Sequence, residues 1–210
     1  MNEAREAVLG RVRTALRDAP MHAPAPARGY RTEGDLDRAG VLDRFAERVA
    51  DYRAEVTRTS ARRVAEAVGD VCTSLQVTNL GMPSGLSPGW LPDGVGRVED
   101  TGLSVAELDA LDGALTGCAV AIAETGTVVL DGSRRSGRRA LTLVPDLHIC
   151  VVEADDVMAI VPEAIERLGA AAAQGRPLTF VSGPSATSDI ELKRVEGVHG
   201  PRSLHVILAE

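Results

Sequence analysis

Apolar residues recur along this chain in two rhythms. The first is helical. Val8, Leu9, Val12 and Leu16 share one side of a helix over residues 2–18. The run DAPMHAPAPARGY, with Pro20, Pro24 and Pro26, then reads as an extended linker or arm. After Asp35, Leu36, Val41, Leu42, Phe45, Val49 and Tyr52 line up as the stripe of a second helix. AEVTRT reads as a short strand, and Ser60 as the N-cap of a helix over ARRVAEAVGDVCTSL. GMPSGLSPGWLPDGVG is rich in Gly and Pro and reads as loop. Ser104-Val-Ala-Glu107 matches a capping box. Beyond it the second rhythm begins. AVAIA, TVVL, LHICVV, LTFV and LHVIL are short apolar runs of strand character. Between them DDVMAIVPEAIERLGAA reads as a helix, which Pro162 kinks or restarts. Strands alternating with helices predict an α/β domain with a mixed or mostly parallel sheet and helices on both faces. That domain covers residues 35–210, behind an N-terminal helix and Pro-rich linker over residues 1–34; no internal repeat is visible.

Composition narrows the function. At 44% hydrophobic and 2% aromatic, the 210 residues must build their core from Val, Leu, Ile and Ala. A net charge of −7 argues against nucleic-acid binding, which needs a basic surface. No apolar run approaches the ~18 residues of a membrane span. The charged N-terminus lacks the apolar middle of a signal peptide, so a cytoplasmic location is expected. Cys72, Cys118 and Cys150 stand far apart without a C-x-x-C pair, and the sequence offers no metal site or iron–sulfur motif of its own. Neither G-x-G-x-x-G nor a Walker loop occurs, so no bound cofactor with such a motif is expected. Lys193 is the one lysine, and its charged surroundings do not favour Schiff-base chemistry.

Four stretches could carry chemistry. In Ala121-Ile-Ala-Glu124-Thr125-Gly126-Thr127-Val-Val-Leu130 a tight turn joins two apolar strands. It presents a carboxylate, two hydroxyls and bare backbone N–H groups at a strand end, where open α/β sheets bind ligands. Glu124 is there either an acid, base or nucleophile, or a turn glutamate paired with an arginine. The second stretch follows LTFV: Ser182, Gly183, Ser185, Thr187, Ser188, Asp189 and Glu191 crowd into ten residues. Its N-cap residues could open a helical turn that attracts an anion, or could satisfy one another in a capped loop. Third, His199 stands in Gly197-Val-His199-Gly200-Pro201, with a reference pKa near ~6.5 that suits proton transfer. His148, in an apolar run, reads as a core histidine. Fourth, Arg134, Arg135, Arg138 and Arg139 either grip an anion or form a solvated loop.

The order ETGT, SGPS-x-T-x-DIE and G-x-HGP, with LTLVPDLHICVV between, resembles the lactate utilization protein C family, the LUD domain. The likeness spans about residues 36–210 and is densest toward the carboxyl-terminal end. It implies the fold of the phosphosugar isomerase and CoA-transferase superfamily (NagB/RpiA/CoA transferase-like). It also implies a part in the oxidation of L-lactate to pyruvate, with two companion proteins that carry the iron–sulfur clusters as partners. Fold alone does not transfer a reaction. CoA transferases of that superfamily use the Glu of a Ser-Glu-Asn-Gly turn as nucleophile. Ala123-Glu124-Thr125-Gly126 is similar in layout, with Ala for Ser and Thr for Asn, and only the position of Glu124 carries over.

These readings combine into one expectation. The Glu124 turn and the Ser182–Pro201 stretch converge at one end of the sheet on a pocket for a small anionic ligand. Glu124 and His199 are its candidate proton handlers. Thr125, Thr127, Ser182, Ser185 and Thr187 supply hydroxyls, Gly126, Gly183 and Gly200 admit close approach, and Asp189 and Glu191 orient His199 or an arginine. The alternatives are a stand-alone transferase or isomerase acting on a CoA ester or sugar phosphate, and a regulatory ligand-binding module.

Overall fold

Two sheets organise residues 31–210. The structure is a computed structural model and describes residues 2–17, 26–184 and 200–210. The chain divides into two units, Met1–Tyr30 and Arg31–Glu210. In the first, α1 (Asn2–Ala15) and the turn after it leave Val8, Val12 and Leu16 exposed.

In the second unit, six strands form one sheet: β1 (Glu55–Thr59), β2 (Asn79–Met82), β3 (Gly96–Glu99), β4 (Gly113–Gly117), β7 (Leu147–Glu153) and β10 (Ser203–Ala209). Their order is β1-β10-β7-β4-β2-β3, and every pair is parallel. Strands covered on both faces read as nearly continuous apolar runs, as LHICVV and LHVIL do but for His148 and His205. Alternate residues then serve opposite faces. Ile149, Val151 and Ile207 pack with Val64, Val68 and Val71 of α3 (Val64–Ser74). Cys150, Val152, Leu204, Val206 and Leu208 pack with Val41, Phe45 and Val49 of α2 (Arg38–Asp51). Helices therefore cover both faces, as the sequence pattern predicts. Burying a side chain such as Phe45 contributes about 1.5–3 kcal/mol.

A second, mixed sheet lies on the α2 side, in the order β8-β5-β6-β9. Its strands are β5 (Val120–Ile122), β6 (Thr127–Leu130), β8 (Val157–Met158) and β9 (Thr179–Val181). Ala121, Val128 and Leu130 join the core shared with α2. Val120, Ile122 and Val129 instead pack on Ala164 and Leu168 of α5 (Val161–Ala173).

The short helix α4 (Val105–Asp109) carries the expected capping box, with Ser104 and Glu107 bonding each other's backbone amides. Three local expectations differ from what is found. The helix expected from residue 155 starts at Val161, because Pro162 has no N–H to donate and fits only in a first turn; β8 takes up the residues before it. Ser60 precedes a 3₁₀ turn, Ala61–Arg63, and its side chain caps nothing. Parts of β2 and β3 fall within GMPSGLSPGWLPDGVG, read as loop. Among the described residues no helix is long and apolar enough to cross a membrane.

Candidate functional site

The β5–β6 hairpin builds the turn that carries Glu124. Val120 faces Val129 and Ile122 faces Thr127 in antiparallel register. The amides of Ala123 and Glu124 donate to Met158 O and Ala159 O at 2.8 and 3.0 Å, which ties the turn to β8. Gly126 closes it with φ +59°, and a Cβ there would meet the Arg48 carbonyl carbon at 2.5 Å. Glycine thus serves twice, for the left-handed backbone and for direct contact with α2. The Glu124 carboxylate is ion-paired with the Arg31 guanidinium. Both side chains are well exposed, at 42% and 50%, so the pair sits in the solvent-screened regime.

A line of hydroxyls leads inward from the turn. Thr125 Oγ1 lies 2.7 Å from Thr127 Oγ1, which lies 2.8 Å from Ser182 Oγ just after β9. Thr127 is buried, so this relay connects turn and β9 beneath the surface. Gly200 approaches the same place, since a Cβ on it would stand 3.0 Å from Pro184 O. The structure thus brings together Thr125, Thr127, Ser182, Gly183 and Gly200. Ser185, Thr187, Asp189, Glu191 and His199 lie outside the described residues.

Ser182 opens onto a cavity of about 130 Å³, lined also by Arg139, Thr142, His148, Phe180, Gly183 and Pro201. Glu124 is not on that wall. The cavity sits at the amino ends of β7 and β10, because His148 is the second residue of β7 and Pro201 precedes Ser203. The carboxyl ends of the parallel strands lie on the opposite edge.

Two groups define its electrostatics. Arg139 Nη1 donates to Thr142 O and Oγ1, both at 3.1 Å. No carboxylate pairs with Arg139 among the described residues. Desolvation lowers its pKa from the ordinary arginine value, and it remains a cation. His148 is 1% exposed, and its Nε2 lies 2.8 Å from Thr116 Oγ1. Burial, reinforced by the charge of Arg139, pushes the imidazole down to about 4, so it is neutral at pH 7. A fixed cation, two alcohols and a neutral imidazole suit a small carboxylate: the guanidinium holds its charge, and the imidazole can exchange a hydrogen bond with a neighbouring hydroxyl or carbonyl.

Two other arginines of that cluster are employed differently. Arg135 pairs with Glu153 and Asp156 at 2.6 and 2.8 Å and lies 5.6 Å from the Trp90 ring centre. Arg138 holds Asp100 through Nε and Nη2 at 2.7 and 2.8 Å. His148 is the core histidine the sequence predicts, yet it also faces the cavity. The signal that could have found it is a polar residue near the start of a mostly apolar strand, downstream of the arginine cluster. Among the described residues no group of His, Cys, Asp or Glu is placed to hold a metal ion, and Cys72, Cys118 and Cys150 are buried free thiols.

Known proteins share both sequence and fold. The sequence model of the LUD domain matches residues 98–209. Lactate utilization protein C of Deinococcus radiodurans is 46% identical over 98% of this chain and 95% of its own length. Lactate utilization protein C 1 of Bacillus mycoides is 26% identical over 95% of this chain and 92% of its own. The crystal structure of a DUF162 family protein from Deinococcus radiodurans superposes with a TM-score of 0.75 at 42% identity, over 84% of this chain and 100% of that one. Sequence thus agrees over nearly the whole chain and architecture over most of it, and the chain belongs to the LUD domain family.

Proposed function

We propose that this protein is a cytoplasmic component of L-lactate utilisation that binds a small 2-hydroxy or 2-oxo acid in the Arg139–His148 cavity. The names of its relatives support the process. One observation carries the ligand class: Arg139, without a carboxylate partner among the described residues, lines a cavity beside Thr142, Ser182 and neutral His148. Size supports a three-carbon acid over a CoA ester. The cavity measures about 130 Å³, against roughly 300–1,000 Å³ for sites of drug-sized ligands. The electron-transfer steps belong, in this proposal, to the two iron–sulfur companion proteins, which bind this chain.

Calorimetric titration of L-lactate and pyruvate into the full chain and into Arg139→Ala tests the ligand. Saturable binding of at least one acid is expected, weakened about tenfold or more in the variant, as befits a lost charge-assisted hydrogen bond. If neither acid binds the unaltered chain at ~10 mM, the ligand proposal fails. Co-purification with the two companion proteins tests the partnership separately, and no association at micromolar concentration would remove it.

A further inference from the structure

A second cleft lies at the other edge of the parallel sheet. Pro83 and Ser84 follow β2, Asp100, Thr101 and Gly102 follow β3, and the loop over residues 132–138 closes the third side. The cleft is open to solvent and offers about 410 Å³, within the roughly 300–1,000 Å³ range of small-molecule sites. It stands outside the carboxyl ends of the strands, where parallel α/β sheets commonly receive ligands.

Its floor is held firmly. The Gly85 amide donates to Arg134 O at 2.9 Å and pins the loop to the end of β2. Asp131 accepts from the Ser136 hydroxyl at 3.0 Å and from Arg176 at 2.6 Å. The Arg138–Asp100 fork ties the loop to β3. Burial raises the Asp100 carboxyl, but Arg138 and the amides of Gly102 and Leu103 outweigh it and leave the pKa below the ordinary range. Asp100 is therefore an anion already neutralised. Arg134 differs: its backbone is anchored, while its guanidinium has no partner among the described residues. The hydroxyls of Ser84 and Thr101 likewise have none there. The wall thus presents one cation and two alcohols, all exposed to solvent and without a side-chain partner among the described residues, on loops pinned by these bonds.

A phosphoryl group matches that set. It offers several strong acceptor oxygens and more than one negative charge, and a guanidinium grips it through parallel N–H bonds. We propose that this cleft is a second ligand site, for an organic phosphate, with Arg134 on the phosphoryl oxygens, Ser84 and Thr101 donating to them, and the remaining volume taking the attached group. The site is independent of the Arg139 cavity.

The test titrates inorganic phosphate, and adenosine 5′-monophosphate as an attached-group probe, into the full chain, Arg134→Ala and Arg139→Ala. Arg134 makes no side-chain bond among the described residues, so its variant should fold, which circular dichroism checks. Saturable binding of either probe is expected, weakened about tenfold or more in Arg134→Ala and unchanged in Arg139→Ala. Ser84→Ala should weaken it less and serves in place of Arg134→Ala should that chain misfold. No saturable binding of either probe at ~10 mM overturns the proposal, as does equal affinity in Arg134→Ala. So does a loss confined to Arg139→Ala, which would put the phosphate in the first cavity.

Discussion

Protonating His148 should weaken the fold across a defined pH window. In the unfolded chain the imidazole takes up a proton near the reference value of ~6.5. In the folded chain burial and Arg139 hold it at about 4. Between those values the unfolded state binds the extra proton, so stability rises with pH there and is lost as pH falls from about 6.5 toward about 4. The gap corresponds to about 3 kcal/mol at ~1.36 kcal/mol per pK unit. Other groups titrate nearby. His205 is also lowered by burial, with Glu55 opposing, and carboxylates such as Asp131 lose their stabilised charge at still lower pH. The measurement is therefore a difference between unaltered protein and His148→Gln, whose amide can still meet the Thr116 hydroxyl. Urea unfolding at a series of pH values gives each free energy. The advantage of the unaltered protein over the variant should shrink by about 3 kcal/mol from neutral pH to about pH 4. Curves that stay parallel would falsify the claim that His148 is buried and neutral.

Two further outcomes follow from the turn. Gly126→Ala places a Cβ 2.5 Å from the Arg48 carbonyl carbon at φ +59°, so it should cost about 2 kcal/mol or more. An unchanged melting temperature would contradict the packing of the turn on α2. Arg31→Ala removes two exposed ion pairs, to Glu124 and to Asp35, and should change stability by less than about 1 kcal/mol. A larger loss on chemical denaturation would mean that the Glu124 pair organises more of the turn than its exposure implies.

The hairpin around Glu124, the capping box at Ser104 and the buried strands β7 and β10 were legible because each is specified locally. Alternating turn chemistry and apolar runs suffices for them. β2, β3 and β4 were not. Their residues, among them Asn79, Gly81, Glu99 and Gly113, have weak strand preference, and strand formation there depends on neighbours. Gly81 shows why: a Cβ would stand 2.6 Å from Leu111 and 2.8 Å from Leu141, so the strand is defined by what presses on it. The cavity was legible in its parts only. Ser182 and the arginine cluster were visible as candidates. That Arg139 and His148 share a wall depends on the 3₁₀ turn Arg139–Thr142 leading into β7, and on β9 crossing from the second sheet.

The place of β10 between β1 and β7 has a consequence for biosynthesis. Residues 55–59 and 147–153 leave the ribosome long before residues 203–209, yet they become neighbours only through that strand. Until it arrives, the nascent chain carries two open ladders of unpaired amides and carbonyls flanking a gap one strand in from the sheet edge. Such edges template wrong pairing, and the closure they await is a long-range one that forms slowly. Translation pauses or premature stops upstream of residue 203 therefore leave a chain primed to aggregate, and a chaperone that shields strand edges would act on that interval.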